Sequence, residues 1–482
     1  MGYIGVDVTF ETPRPHRSAS ASQAAFLSFL LPGLGQVALG ARRRGLVLAL
    51  PALAVIVLLV VVALGGTRAI IALVAQPQVL LTIVIVNIVF GIYHLAAIGD
   101  AFRLGRRLTG PVTPMRRRSG AAILVGLLAA TFVFHGLVGA VGYSAYETLT
   151  GVSVNPLTGF TIPKPSFEQT PGPSVGPSAA PTPTPGPAWA QDGRLNLLLI
   201  GSDSGPGRWS LRTDTMIVLS VDIATGRAAM FGIPRNLVNV PLAPEDAKAF
   251  PNGRFPGLMN ALYVYAMGHP SVFPGGDARG FRAVTGAIQQ LVGVPLDGVM
   301  VVDLVGFVNL VNAVGGLWMN VPQRVVDLRY PLEDGSRYVA INIKPGCQLL
   351  SGRVALEFAR SRHQDSDYGR MLRQQEVLVA LAKQLDPIEL LPKVFDLLQI
   401  ARDDLWTTLQ PADYPALALL ADEVRGGSIE KILFSPPQYG EFLTTKEIAR
   451  IAKVVRTVFN APSPTASPSP IPSPTATPKP CP

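Results

Sequence analysis

Three long apolar runs, each flanked by arginines on a consistent side, constrain this chain more than any other feature. Leu46–Ala63 is almost unbroken Leu, Val, Ala and Ile; Val79–Ile98 is interrupted by Asn87 and His94; Ala121–Tyr143 carries a lone His135. Each is long enough to cross ~30 Å of hydrocarbon at ~1.5 Å of rise per helical residue. We read three spanning helices. A shorter run, Ala24–Gly40, contains Pro32-Gly33-Leu34-Gly35 and is left open between a re-entrant segment, an interfacial one and a fourth span.

Arginine placement sets the orientation. Arg42, Arg43 and Arg44 precede the first span. Arg103, Arg106, Arg107, Arg116, Arg117 and Arg118 fill the loop between the second and third without one acid. Both segments are expected on the cytoplasmic side, so everything after about Tyr146 is expected outside. His94 and His135 are expected to be neutral and packed between helices rather than part of a proton path.

Composition agrees: 48% apolar and 15% charged residues is more apolar and less charged than an ordinary soluble domain. The net charge of +9 does not indicate a nucleic-acid partner. Residues 1–150 hold twelve arginines against Asp7, Glu11, Asp100 and Glu147, so the excess follows membrane topology and the rest is near neutral. Two cysteines and five scattered histidines exclude a disulfide-rich scaffold and a Cys-based zinc site. Cys347 and Cys481 stand far apart in sequence, and no bond between them is expected.

Ten prolines in 154–190 and nine in 461–482, mixed with Ser and Thr, predict extended segments without a core. The chain therefore divides into a membrane region (1–150), a Pro/Ser/Thr-rich linker (151–193), a folded domain (194–459) and a disordered tail (460–482). In the folded domain, Leu195–Gly201, Thr215–Val221 and Ala228–Ile233 read as buried strands. Phe281–Val292, Leu304–Val314, Gly352–Ala359 and Gly369–Leu385 read as helices. Alternating strands and helices predict an α/β fold, an α-β-α sandwich.

Polar residues gather in three places. Asp203 ends one predicted strand and Asp214 begins the next; if the strands pair, the two carboxylates meet at one sheet edge. Arg212 falls on the same side as Asp214. Two carboxylates with an arginine suit a magnesium-bound phosphate, since hard cations take oxygen ligands. Ile233-Pro234-Arg235-Asn236 follows a strand and can aim a guanidinium into a crevice at the sheet edge. The densest cluster holds Arg360, Arg362, Arg370, Arg373 and Gln374. Arg370, Arg373, Gln374 and Val377 share one helix face, and converging arginine forks suit a polyanion. The alternative is a charged face paired with Asp365 and Asp367. No Walker A loop, G-x-S-x-G elbow or dinucleotide loop is present.

Taken in order, these segments resemble the LytR-CpsA-Psr family of cell-wall phosphotransferases. The matching pieces are Leu197-Leu-Leu-Ile-Gly-Ser-Asp203, Arg212-Thr-Asp-Thr215, Ile233-Pro-Arg235, Leu258-Met-Asn260-Ala261, Val301-Val-Asp303-Leu-Val-Gly306-Phe307 and Val314-Gly-Gly316. Gly352-Arg-Val-Ala-Leu356, Ala359-Arg-Ser-Arg362, Gly369-Arg370 and Arg373-Gln-Gln375 complete the set. The resemblance implies an enzyme that moves a glycopolymer phosphate, teichoic acid-like, from an undecaprenyl diphosphate carrier to a sugar hydroxyl of peptidoglycan, with some diphosphatase activity. It implies magnesium on Asp203 and Asp214. The diphosphate falls to Arg212, Arg235, Arg360, Arg362, Arg370, Arg373 and Gln374. Arg212, Asp214, Arg235, Arg360 and Arg362 are the implied catalytic set. The lipid needs an apolar tunnel, for which Leu304, Phe307, Leu310 and Val311 are candidates beside an ordinary core role. The implied place is a bacterial cell membrane, crossed several times, with the catalytic domain outside and no nucleic acid partner. The family usually has Asp after Pro-Arg; this chain has Asn236, which hydrogen-bonds but cannot act as a base. A non-catalytic module that binds polyprenyl phosphate is therefore the competing reading.

Overall fold

A computed structural model describes residues 19–66, 76–108, 113–151, 188–203, 212–332, 336–362, 366–385 and 393–460, with isolated residues at 70, 73, 162 and 481. Most of the linker expected at 151–193, and nearly all of the tail expected at 460–482, lie outside the described residues. The chain forms two compact units, one from residues 1–66 and 80–143, the other from 67–79 and 144–482.

The first unit is helical. It contains α1 (Ala21–Leu30), α2 (Leu34–Ala38), α3 (Arg42–Leu64), α4 (Pro77–Leu108) and most of α5 (Pro114–Gly151). Arg42–Leu64, Pro77–Leu108 and Arg117–Glu147, with mean hydropathies of 3.2, 2.3 and 2.2, are long and apolar enough to cross a membrane. Ala24–Gly40 is not one helix. α1 stops before Pro32, Gly33 turns the chain at φ +96°, and α2 is only five residues long. Only glycine fits at 33: it needs a left-handed φ, and a β-carbon there would meet the Gly45 carbonyl. Polar groups in this unit satisfy one another. Ser28 donates to Gln36 (2.9 Å), and Gln36 and Arg44 both donate to Asp100 (3.0 Å each). His94 and His135 approach each other, ring nitrogens 3.4 Å apart, with Asn87 against His135 and the Phe29 carbonyl against His94.

The second unit is built on a six-stranded mixed sheet. Its strands are β1 (Arg194–Ser202), β2 (Thr213–Asp222), β3 (Ala228–Gly232), β6 (Gly298–Val302), β11 (Leu405–Thr407) and β12 (Ile429–Leu433). Their order across the sheet is β11-β6-β1-β2-β3-β12. Three two-stranded ribbons accompany it: β4 (Val238–Pro241) with β5 (Arg254–Leu258), β7 (Leu317–Val321) with β10 (Gly346–Leu350), and β8 (Val325–Pro331) with β9 (Tyr338–Ile343). The three strands expected between 195 and 233 are present as β1, β2 and β3. The four expected helices are present as α6 (Arg279–Val292), α7 (Leu304–Ala313), α8 (Gly352–Arg360) and α9 (Asp367–Gln384).

Residue parity explains the layering. Leu198 and Ile200 of β1 join Met216, Val218 and Phe231 in a core closed by α6, whereas Leu195 and Leu197 pack on the other face with Leu420 and Val424 of the helix Tyr414–Gly426. Successive strand residues face opposite ways, so a nearly continuous apolar β1 is what a sheet covered on both faces requires. The result is the expected α-β-α sandwich. A second core lies among β7, β10, α7, α8 and α9. Serine caps begin the two arginine-bearing helices: Ser351 accepts from the Val354 N–H, and Ser366 from the Gly369 N–H. The fully buried Gln375 amide donates to the carbonyls of Met230 and Ile432, fixing α9 across β3 and β12.

The cysteines differ from expectation. Cys347, on β10, is bonded to Cys481 across 134 positions. Sequence separation is a weak guide because loop-closure entropy grows only logarithmically with loop length.

Candidate functional site

β1 and β2 pair antiparallel with Ser202 opposite Thr213, and the Asp203 N–H donates to the Arg212 carbonyl (3.0 Å). Asp203 and Asp214 therefore leave adjacent strands at the same end of the sheet. Both line one cavity of about 640 Å³.

The floor of that cavity is two rungs of the sheet. Met300, Leu199 and Ile217 are in register across β6, β1 and β2, and Val302, Gly201 and Thr215 form the next rung. A β-carbon on Gly201 would lie 2.9 Å from the Thr215 β-carbon, so any larger residue fills the cavity from below. The roof is Leu304, Phe307 and Leu310 of α7, Leu356 of α8, and Val377, Leu378 and Leu381 of α9, of which Phe307, Leu310, Val377 and Leu381 also belong to the second core. Of the four residues expected to line a tunnel, Leu304, Phe307 and Leu310 do so. Val311 is fully buried in the core instead.

The cavity ends in charge. Arg360, the last residue of α8, donates to Asp203 (3.0 Å) and to the Tyr330 hydroxyl (3.2 Å), and its guanidinium lies over the Tyr330 ring. Arg370, in the first turn of α9, donates to the Asp214 backbone carbonyl (3.2 Å) and to Asp367 (3.0 Å). Arg235 bridges Asp214 (2.9 Å) and Asp367 (3.2 Å), and Asn260 adds a bond to Asp214 (3.2 Å). Arg362 and Gln374 also line the cavity, Arg362 exposed and Gln374 buried. Asp365 lies outside the described residues.

Three of the expected phosphate ligands do not line the cavity: Arg212, Arg373, and Arg235, which is held between Asp214 and Asp367. The buried Arg373 donates through Nε to the Phe358 carbonyl (2.8 Å) and through Nη2 to that of Ser361. It closes the C-terminal end of α8, where carbonyls lack helical partners, and does not line the cavity. Arg212 is exposed just ahead of β2 and does not line it either. Asn260 and Tyr330 are site residues outside the expected set. Asp367, expected as an ion-pair partner for arginines, joins Arg235 to Arg370. Asn260 carried a usable signal, since its segment was already among the matching pieces.

Burial and charge compete across this cluster. Burial pushes the Asp214 carboxyl up, but Arg235, then Arg370 and Asn260, outweigh it and hold it below the usual carboxylate range. Burial brings Arg370 down to about 10, against the pull of Asp367 and Asp214, so it keeps its charge at neutral pH. Burial and Glu441 push the Tyr368 phenol up to about 12. Magnesium is ordinarily held by one or two carboxylates plus phosphate oxygens; here Asp203 accepts from Arg360, and Asp214 from Arg235 and Asn260. Among the described residues no group of three or more His, Cys, Asp or Glu could hold a metal alone.

The LytR_cpsA_psr family model matches residues 167–438. Biofilm regulatory protein A of Streptococcus mutans is 24% identical over 227 residues, 46% of this chain and 51% of that protein. The polyisoprenyl-teichoic acid–peptidoglycan teichoic acid transferase TagU of Oceanobacillus iheyensis is 29% identical over 218 residues, 45% of this chain and 59% of that protein. The chain spans about half the length of the curated relatives it matches. The crystal structure of B. subtilis TagV aligns with a TM-score of 0.41 at 22% identity, covering 55% of this chain and 97% of that one.

Proposed function

Because the chain belongs to the LytR_cpsA_psr family, we propose that it is a membrane-anchored transferase of the bacterial cell envelope. It moves a glycopolymer phosphate from a polyprenyl diphosphate carrier to a sugar hydroxyl of peptidoglycan. The observation that carries this reading is the two-ended cavity. An apolar chamber floored by Leu199 and Ile217 and roofed by Phe307 and Leu310 suits an isoprenoid chain, and arginines at its end suit a diphosphate. The name of the TagU relative supports the substrate class.

Arg360, Arg362 and Arg370 bind the diphosphate oxygens, and Gln374 adds a neutral donor. Arg235, held between Asp214 and Asp367, orients those carboxylates and screens the phosphate from them. Diphosphate cleavage needs developing negative charge stabilised in place more than it needs covalent help. Asp203 and Asp214 would hold magnesium, which supplies further charge neutralisation on phosphate oxygens. When water replaces the sugar hydroxyl, the same arrangement gives diphosphatase activity. Three helices long and apolar enough to cross a membrane support the anchor, and the arginine placement supports an outward α-β-α domain.

Asn236 in place of the family's usual Asp favours a second reading, a module that holds polyprenyl phosphate without turnover. One experiment separates them. The full chain in nanodiscs is given a polyprenyl diphosphate glycan, magnesium and peptidoglycan fragments. Transfer that is lost in Arg362→Ala and Asp214→Ala is the expected outcome. Tight lipid binding without product means a binding module.

A further inference from the structure

Outside the cavity, on the flank of the arginine cluster, lies a second polar set. Asn236 follows Arg235 directly, and Tyr368 follows Asp367. Asn236 Nδ2 donates to Glu441 (2.7 Å) and to the Tyr368 hydroxyl (3.2 Å), and that hydroxyl donates to the same Glu441 oxygen (2.5 Å). Glu441 is exposed, and among the described residues no lysine or arginine forms an ion pair with it. None of the three lines the apolar cavity.

Beside them is an apolar ledge. Val238 of β4 is opposite Leu258 of β5, and on its other side bridges Phe442. The register sets the three in one row, with Leu258 47% and Phe442 61% exposed. The loop carrying Glu441 and Phe442 is pinned by backbone bonds: Val238 donates to the Glu441 carbonyl (2.8 Å), and Leu443 donates to that of Val238 (3.0 Å). Asn239 and Arg254 both donate to the Leu443 carbonyl (2.7 Å each). An exposed ring held on a fixed loop directly follows Glu441, whose carboxylate gathers the amide and the phenol, and this pairing of apolar and polar groups suits the two-faced chemistry of a sugar. C–H faces stack on the ring, and hydroxyls bond the polar groups.

We propose that Phe442, Glu441, Asn236 and Tyr368 form the subsite for the acceptor glycan, a neutral amino-sugar oligosaccharide. This rests on the phosphotransfer reading above. It places the acceptor on the outer flank of the Arg235–Asp367 pair while the lipid occupies the cavity, so the two substrates do not compete for space.

The test uses the full chain in nanodiscs with a fluorescent polyprenyl diphosphate glycan as donor and a short N-acetylhexosamine oligosaccharide as acceptor. Glu441→Gln and Phe442→Ala raise the acceptor KM about tenfold, the loss of roughly one charge-assisted hydrogen bond or ring contact. Donor Kd stays within twofold, and Phe442→Trp keeps the acceptor KM of the parent. An unchanged acceptor KM in both variants overturns the subsite, as does a parallel loss of donor binding, which marks general damage. Acceptor binding is also measured by saturation-transfer NMR without donor. If no transfer occurs at all, binding lost in Phe442→Ala upholds the subsite while the transferase reading fails. Binding equal in both chains overturns the subsite.

Discussion

Arg235 is shared by two carboxylates, and the consequences are electrostatic. Asp214 titrates below the ordinary range because its arginine neighbours outweigh burial. A depressed folded-state pKa gives stability that is full above the unfolded value of about 3.9 and is lost as pH falls through the folded one. Asp214→Asn is therefore expected to lower the thermal midpoint at pH 7, with the gap from the parent closing below about pH 4. Asp297 behaves oppositely. Burial pushes its carboxyl up to about 7, against the hydrogen bond it accepts from the Asn196 N–H. A raised pKa gives stability that is full below the unfolded value and is lost as pH rises through the folded one. Asp297→Asn should flatten the parent's decline in thermal midpoint between pH 4 and 7; an unchanged slope counts against a buried carboxyl there. At this scale the sequence was only partly legible. Arg370 and Arg373 share a helix face by spacing, yet Arg370 reaches the cavity and Arg373 reaches the carbonyls of α8. Periodicity fixes a side chain's face, not the acceptor it finds there.

Between elements, Arg373 acts as a strut from α9 to the end of α8. A buried guanidinium bonded to two carbonyls leaves both unsatisfied when removed, so Arg373→Ala should cost about 2–4 kcal/mol in urea denaturation. Arg362→Ala, at an exposed position, should leave that midpoint within about 0.5 kcal/mol while abolishing transfer. Equal stability of the two variants sinks this division of labour. The long elements were readable beforehand because β1, β2 and α9 carry strong apolar patterns. The ribbons were not: β4, β5, β7 and β10 are four or five residues long, too short for a period to stand out. Ala24–Gly40 stays open in the sequence because Pro32-Gly33-Leu34-Gly35 interrupts a largely apolar run, and the structure turns the chain there, at Pro32 and the left-handed Gly33.

Across the molecule, the arginine-rich loops and the distant cysteines can be checked independently. A periplasmic-type reporter fused after Asn460 should be active outside the cytoplasm and silent inside; the reverse result inverts the orientation. Accessible thiols should be absent until a reductant is added, as read by a maleimide-polymer shift on a gel, because Cys347 and Cys481 are the chain's two cysteines and are bonded to each other. This last feature makes residues 347–481 a closed ring in the topological sense. The ring runs from β10 through α8 and α9 and back from Cys481. One cleaved peptide bond inside the ring therefore opens the loop without releasing a fragment, and the nicked protein keeps its mass. Only a second cut or a reductant would let a piece of it leave.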